Sequence, residues 1–414
     1  MRLLIFGHIS DTGFGTVTRE LATRLLEQHD VRILAVNHRG DPIRGPLAGR
    51  VWPTNMFGEA FGGNLSAAAI AGPLWSKLDP TDHWEPDQTL VISDVSGLLS
   101  FMGKVTPEIV ELWRSKPVWH YCPIEGDNLP PTWREVWQIV RPVAMSDYGA
   151  RVISEHIGRS VPRIYHGVNT ERFRPVSFGS PIRIGNKVLT TREACKDHFG
   201  VAGKKVILRA DRNATRKFYY KLIEAFVSIA QAEPDAVLLL HCQAVDIEGM
   251  DLIAEVQRTP EDVRDRIWFT GMHDTFVGLD LEGMAALYNA ADVYVSTTGG
   301  EGFGLTLAES LACETPVVVT DWAAEREVVG DGGVLIPPLR DAYGDTVRYH
   351  SGYGMDWAVP DARAFVEPTL RLLKKPHERT ELGRRGRRHI ARFSWDTATS
   401  EFLSLFEEAD AAAA

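Results

Sequence analysis

Two carboxylates, Glu301 and Glu309, stand eight positions apart in the stretch Thr297 to Thr320, which begins Thr-Thr-Gly-Gly-Glu-Gly-Phe-Gly-Leu. Glu301 sits in a glycine-rich turn with Gly299, Gly300, Gly302 and Gly304. Its carboxylate can face a cleft at the end of the preceding strand. The amides of Gly302, Phe303, Gly304 and Leu305 open a helix, and helix openings seat phosphate groups. Glu309 falls roughly 40° from Leu305 around that helix, at the edge of its apolar stripe. A carboxylate there needs partners or a polar ligand. One loop can thus hold a sugar at Glu301, a diphosphate on the amides and a ribose at Glu309. The bland alternative is a tight turn and a helix with one solvated glutamate. Four glycines, a buried strand before and Pro-Val-Val-Val after weigh against it.

The elements that must position these groups are legible. Asp292 to Thr298 is a β-branched run and reads as a buried strand. Leu305, Ala308, Leu311 and Ala312 have helical spacing, Pro316 stops that helix, and Val317 to Thr320 is the next strand. The result is a strand, turn, helix, strand unit.

The segment Glu-Gly-Phe-Gly-Leu-Thr-Leu-Ala-Glu-Ser-Leu-Ala-Cys-Glu-Thr-Pro-Val-Val, Glu301 to Val318, closely resembles the signature of glycosyltransferase family 4. Members are retaining enzymes of the GT-B fold. The resemblance implies that Glu301 contacts the donor sugar and Glu309 the ribose. It also implies that Arg212 and Lys217, five apart after the strand Val206 to Ala210, aim at the diphosphate. Two cations suit a nucleotide-diphosphate leaving group, which gains negative charge as the glycosidic bond breaks. The family's glycines before the Arg and after the Lys are Asp211 and Phe218 here. That departure puts the loop geometry in question, not the charges.

The resemblance extends over almost the whole chain. Arg2 to Phe6 reads as a first strand, followed by a loop with Gly13 and Gly15 and a helix from Thr16 to Gln28. The glycines lack the Gly-x-Gly-x-x-Gly order of a dinucleotide site. In place they match the glycine loop that family members put beside donor phosphates and acceptor. His120, near the end of the strand Pro117 to Tyr121, matches a histidine facing the donor sugar; the alternative is a histidine packed beside Trp119. Glu125 and Asp127 follow, as acceptor-side groups, a base or a solvated acidic turn. His166-Gly167-Val168-Asn169 resembles the interdomain hinge, and Arg163 to His166 reads as a strand. The loop Gly271 to Asp280, with Met272, matches the one that contacts the donor base.

Two regions carry no assignment. Residues 38–88 are rich in Gly and Pro with Trp52, Phe57, Phe61, Trp75 and Trp84. They form either an acceptor wall or a small subdomain burying its own rings. Residues 337–360 hold Tyr343, Tyr349, Tyr353 and Trp357, as a cover for the cleft or an oligomer contact.

Composition bounds the rest. The chain has 414 residues, 44% hydrophobic and 24% charged, ordinary for a globular protein with two or three domains. No apolar run is long enough to span a membrane, and no signal peptide is apparent, so a cytoplasmic location is expected. The four cysteines are far apart, which suits reduced thiols better than disulfides or zinc. Net charge is −10, nearly all of it beyond residue 175. The totals show no basic footprint, so a nucleic-acid partner is not indicated, while the near-neutral first half leaves room for a local basic patch.

The expected fold is α/β: two Rossmann-like, doubly wound domains facing a central cleft. Residues 1–170 form the acceptor-side domain and 171–204 the linker and the start of the second domain. Residues 205–392 form the donor-nucleotide domain, and 393–414 a helix crossing back to the first domain and a frayed tail. The expected activity is transfer of a sugar, with retention, from a nucleotide-diphosphate sugar to an acceptor the sequence does not specify. No metal motif is present and no cofactor is expected. Departure of the phosphate with the acceptor proton is the implied route to retention. Two rivals stand beside it: a sugar-nucleotide epimerase or phosphorylase on the same fold, and a non-catalytic sugar-nucleotide binder.

Overall fold

Strands such as Leu3 to Phe6 and Val317 to Val319 are apolar without alternation, as a strand covered on both faces must be. In the computed structural model they form two six-stranded parallel sheets. Residues 1–413 are described, except 37, 39, 55–83, 104–106, 272–277 and 353. The chain divides into two units: Met1–Ile124, Asn128–Gly167 and Trp395–Ala414 in one, Glu125–Asp127 and Val168–Ser394 in the other.

The first unit holds β1 (Arg2–His8), β2 (Asp30–Val36), β3 (Val51–Pro53), β4 (Gln88–Ile92), β5 (Val118–Cys122) and β6 (Arg141–Ala144). Their order is β3-β2-β1-β4-β5-β6, all parallel. The first helix is Gly13–Leu25, with Thr12 as its cap accepting from the Gly15 amide at 3.2 Å. It therefore begins three residues earlier than the sequence suggests, and Gly13 and Gly15 lie in its first turn. Gly15 has no room for a side chain, since a Cβ would fall 1.8 Å from the Ser10 carbonyl oxygen. Arg163 to His166 is not a strand. Arg163 makes a single parallel bridge to Ala144, and the Ile164 carbonyl accepts from the Tyr121 hydroxyl at 2.7 Å. The last helix, Trp395–Ala413, packs within this unit. Gln88 donates to the Phe406 carbonyl at 2.8 Å, and Phe402 meets Tyr121 edge-on.

The second unit opens with a hairpin, β7 (Ile182–Ile184) and β8 (Lys187–Leu189). Its sheet comprises β9 (Lys205–Ala210), β10 (Ala236–His241), β11 (Ile267–Phe269), β12 (Val293–Ser296), β13 (Val317–Thr320) and β14 (Gly333–Ile336). The order β11-β10-β9-β12-β13-β14 repeats the winding of the first unit. Ile207, Leu238, Val293, Val295 and Val318 form a core with Phe226, Ile229 and Phe365 from the covering helices. Each such buried side chain contributes about 2 kcal/mol, which fixes the strand ends that carry the site. In doubly wound sheets the ligand crevice lies outside the carboxyl ends of the strands where the order reverses. In this unit those strands are β9 and β12.

Residues 337–360 build an antiparallel hairpin, β15 (Arg348–His350) and β16 (Asp356–Ala358). Tyr349 stacks on Trp357 at 5.9 Å, and the Ala358 amide donates to the Gly299 carbonyl at 3.1 Å. This segment thus packs on the glycine-rich turn of its own unit. Of the aromatics in residues 38–88, Phe57, Phe61 and Trp75 lie outside the described residues. Trp84 is buried, with Arg32 over its ring. The four cysteines are buried and unpaired. No helix among the described residues is long and apolar enough to cross a membrane.

Candidate active site

The loop that follows β9 carries Asp211, Arg212, Arg216 and Lys217. Lys217 is buried, its ammonium 2.9 Å from Asp211 and 2.5 Å from Glu301. Asp211 is anchored from several sides. The fully buried Arg209 lies 2.7 Å away, and Tyr294 and Thr306 donate to the carboxylate at 3.1 and 3.2 Å. Burial opposes its ionisation, but Lys217 and Arg209 outweigh burial and hold its pKa below the usual carboxylate range. The glycine missing before Arg212 is therefore replaced by a side chain that helps hold Lys217. No left-handed backbone is required there.

At Phe218 the backbone is left-handed, φ 43°, in the place where a glycine was expected. That geometry costs an L residue about 1–2 kcal/mol. The buried ring offsets it, packing edge-on against Tyr220 and Tyr349. The loop thus keeps a glycine-like path with a bulky residue.

The loop after β12 carries Glu301. Gly300 has φ 155°, and a Cβ there would lie 1.7 Å from the Glu125 carbonyl oxygen. Gly304, φ 93°, stands at the cap position of the helix Leu305–Ala312, which no side chain caps. Glu301 is 6% exposed. Burial opposes its charge too, but Lys217 and then Arg216, 3.2 Å away, hold its pKa down. Gly302 and Phe303 are buried, and Phe303 packs edge-on against Phe393. Glu309 is half-buried and accepts from the Tyr288 hydroxyl at 2.8 Å. Burial pushes it up to about 7, against the lowering effect of that hydrogen bond.

The remaining expected residues are placed differently. Arg212 is half-exposed and pairs with Asp246 at 3.0 Å and Glu248 at 2.8 Å, rather than sharing the Lys217–Glu301 pair. Both carboxylates lie on the loop that follows β10. His120 lies inside β5, fully buried, instead of at a strand end. Its Nε2 is 3.1 Å from the Ser93 carbonyl and its Nδ1 accepts from Trp137 at 3.4 Å. Burial lowers its pKa to about 4, so it is neutral. It is the packed histidine of the two alternatives. Glu125 and Asp127 form no solvated acidic turn. Glu125 is 2.8 Å from Arg216 and Asp127 is 3.0 Å from Arg348. Met272 lies outside the described residues.

Two groups escaped the sequence reading. Arg216 reaches Glu301, Glu125 and the Gly300 carbonyl; its only signal was a second basic residue beside Lys217. Glu325 is fully buried with neither carboxylate oxygen hydrogen-bonded. Burial, then the charge of Glu301, pushes its pKa well above the usual range. Nothing in its local sequence signals this.

Two doubly wound sheets and a C-terminal helix returned to the first unit make the GT-B fold, with a carboxylate–lysine pair at the second switch point. Residues 204–349 match the family described as Glycosyl transferases group 1. It is 26% identical over 276 residues to the phosphatidyl-myo-inositol mannosyltransferase of Mycobacterium tuberculosis. That alignment covers 65% of this chain and 60% of the relative, so the chain spans about three fifths of the relative's length. Among solved structures, sucrose-phosphate synthase from Thermosynechococcus elongatus matches with a TM-score of 0.69 at 16% identity, over 100% of both chains. Anabaena HepE, solved with UDP-glucose, matches with a TM-score of 0.65 at 16% identity, over 99% of this chain and 100% of that one.

Proposed function

We propose that this protein is a retaining glycosyltransferase that takes a nucleotide-diphosphate sugar at the carboxyl ends of β9 and β12. One observation carries the reading: Lys217 is buried between Asp211 and Glu301, beside a helix whose N-terminus no side chain caps. A diphosphate seated on the amides of Gly302 to Leu305 takes the Lys217 ammonium, and Glu301 turns to the hydroxyls of the donor sugar. Glu309 accepts from the ribose. The leaving diphosphate gains charge as the glycosidic bond breaks, and preorganised positive groups stabilise it most at that point. Lys217 and the helix terminus supply that charge, so no metal ion is assigned a role. Arg212 joins them only by giving up Asp246 and Glu248, and the reading does not depend on it. His120, buried and neutral, is given no part.

Transfer with retention proceeds on one face of the sugar, the departing phosphate oxygen taking the acceptor proton. The match of residues 204–349 to Glycosyl transferases group 1 supports transfer over an epimerase, a phosphorylase or a non-catalytic binder. The test is a panel of nucleotide sugars screened by thermal shift, then assayed for nucleoside diphosphate release with excess chelator and without. The anomeric configuration of the product is read by NMR. Stabilisation by a donor, release that persists in chelator and a retained configuration are expected. Binding without any release means a non-catalytic protein; loss in chelator that magnesium restores means a metal serves the leaving group.

A further inference from the structure

Arg216 holds the start of the turn that carries Glu301, through its guanidinium and through its own carbonyl. Its guanidinium donates to the Gly300 carbonyl at 3.1 Å and lies 3.2 Å from the Glu301 carboxylate. Its own carbonyl accepts from the Gly299 amide at 2.7 Å. The far side of the guanidinium is 2.8 Å from Glu125. Three groups fix the side chain and a fourth its backbone, and all lie within the second unit.

The arrangement solves a charge problem. Glu301 is buried and holds two cations, Lys217 and Arg216, while Lys217 is itself shared with Asp211. A diphosphate at the helix terminus draws Lys217 away from Glu301. Without another cation, Glu301 is then a buried carboxylate stripped of its partner, the most costly outcome for a buried pair. We propose that Arg216 is a positioning residue of the donor site, the standing counter-ion of Glu301 that frees Lys217 to move from that carboxylate to a diphosphate. Glu125 balances Arg216 in turn when Glu301 engages hydroxyls. The proposal rests on the donor-site reading above and adds the residue that makes the exchange possible.

The experiment measures the affinity of UDP, GDP and ADP by calorimetry for the wild type and for Arg216→Gln, Glu301→Gln, Arg216→Gln/Glu301→Gln and Glu125→Gln. For the diphosphate the wild type binds best, Arg216→Gln weakens binding by about tenfold or more, because Glu301 then cannot release Lys217. Removing the Glu301 charge as well restores affinity to the wild-type level or above. Glu125→Gln, which leaves Arg216 wholly to Glu301, holds or raises affinity. A structural role for Arg216, or direct contact with the diphosphate, gives a loss that Glu301→Gln does not rescue, and that result overturns the proposal. Should Arg216→Gln fail to fold, a Glu125→Gln variant with weakened affinity overturns it equally. A wild type that binds none of the three diphosphates overturns the donor-site reading and this proposal with it; wild-type binding with an unaffected Arg216→Gln overturns this proposal alone.

Discussion

Lys217 and Glu301, 84 residues apart in the chain, meet at 2.5 Å in the second unit. Each lies on a loop at the carboxyl end of a neighbouring strand, β9 or β12, where the sheet order reverses. The pair joins the group suited to a leaving diphosphate to the group suited to a sugar, so disturbing one is felt by the other.

Lys217→Ala should weaken nucleoside diphosphate binding by about 1.5–3 kcal/mol, the worth of a charge-assisted contact. Arg209 still neutralises Asp211 and Arg216 still neutralises Glu301, so the fold should survive. Unchanged affinity in calorimetry removes Lys217 from the site.

Glu301→Gln keeps the shape and one acceptor oxygen but loses the charge. Positive character builds on the sugar carbon during transfer, so a nearby carboxylate helps the transition state more than the ground state. Turnover should fall by about tenfold or more. Diphosphate affinity should hold or rise, because Glu301 no longer competes for Lys217. A variant that turns over at the wild-type rate denies Glu301 its sugar role.

Glu309 links affinity to pH. Its pKa in the folded protein, about 7, is raised above the ordinary 4.5. A raised carboxyl pKa gives stability that is complete below the unfolded value and lost as pH rises through the folded one. A ribose hydroxyl favours the ionised form by donating to it. Nucleotide affinity should therefore rise from pH 6 to pH 8, by about tenfold more in the wild type than in Glu309→Gln. The variant keeps the ionisation of the diphosphate itself, so the difference isolates Glu309. Equal pH slopes in calorimetry exclude a ribose contact at this residue.

Phe218→Gly relieves a left-handed backbone worth about 1–2 kcal/mol, but empties the space of a buried ring, which costs about 3–5 kcal/mol. The packing loss wins, and denaturant unfolding should show a net destabilisation of about 2 kcal/mol. A variant as stable as the wild type means the ring contributes little and the loop is strained for another reason.

The sequence alone determined the parts that local rules control. Apolar runs followed by glycine loops and helical spacing read as covered strands of a doubly wound domain, and the resemblance to glycosyltransferase family 4 implied two of them. The glycines at 300 and 304 marked backbone paths that a Cβ obstructs, and the helix following them was set by its spacing and by Pro316. Glu301 and Glu309 stood out because two acids flanking such a turn have few bland explanations, and Lys217 because its spacing from Arg212 matched the family it resembles. The tertiary structure decided which charges meet. Arg212 and Arg216 look alike in sequence, yet Arg212 turns to Asp246 and Glu248 while Arg216 turns to Glu301 and Glu125. His120 matched a sugar-facing position, but its place inside β5 buries it between Ser93 and Trp137. Phe218 stands where a glycine was expected and keeps the path because Tyr349, distant in sequence, joins Tyr220 against its ring. The physical reason is common to all three: ion pairing and burial depend on residues brought together from loops of different strands, and no periodicity along the chain encodes which of them will be near.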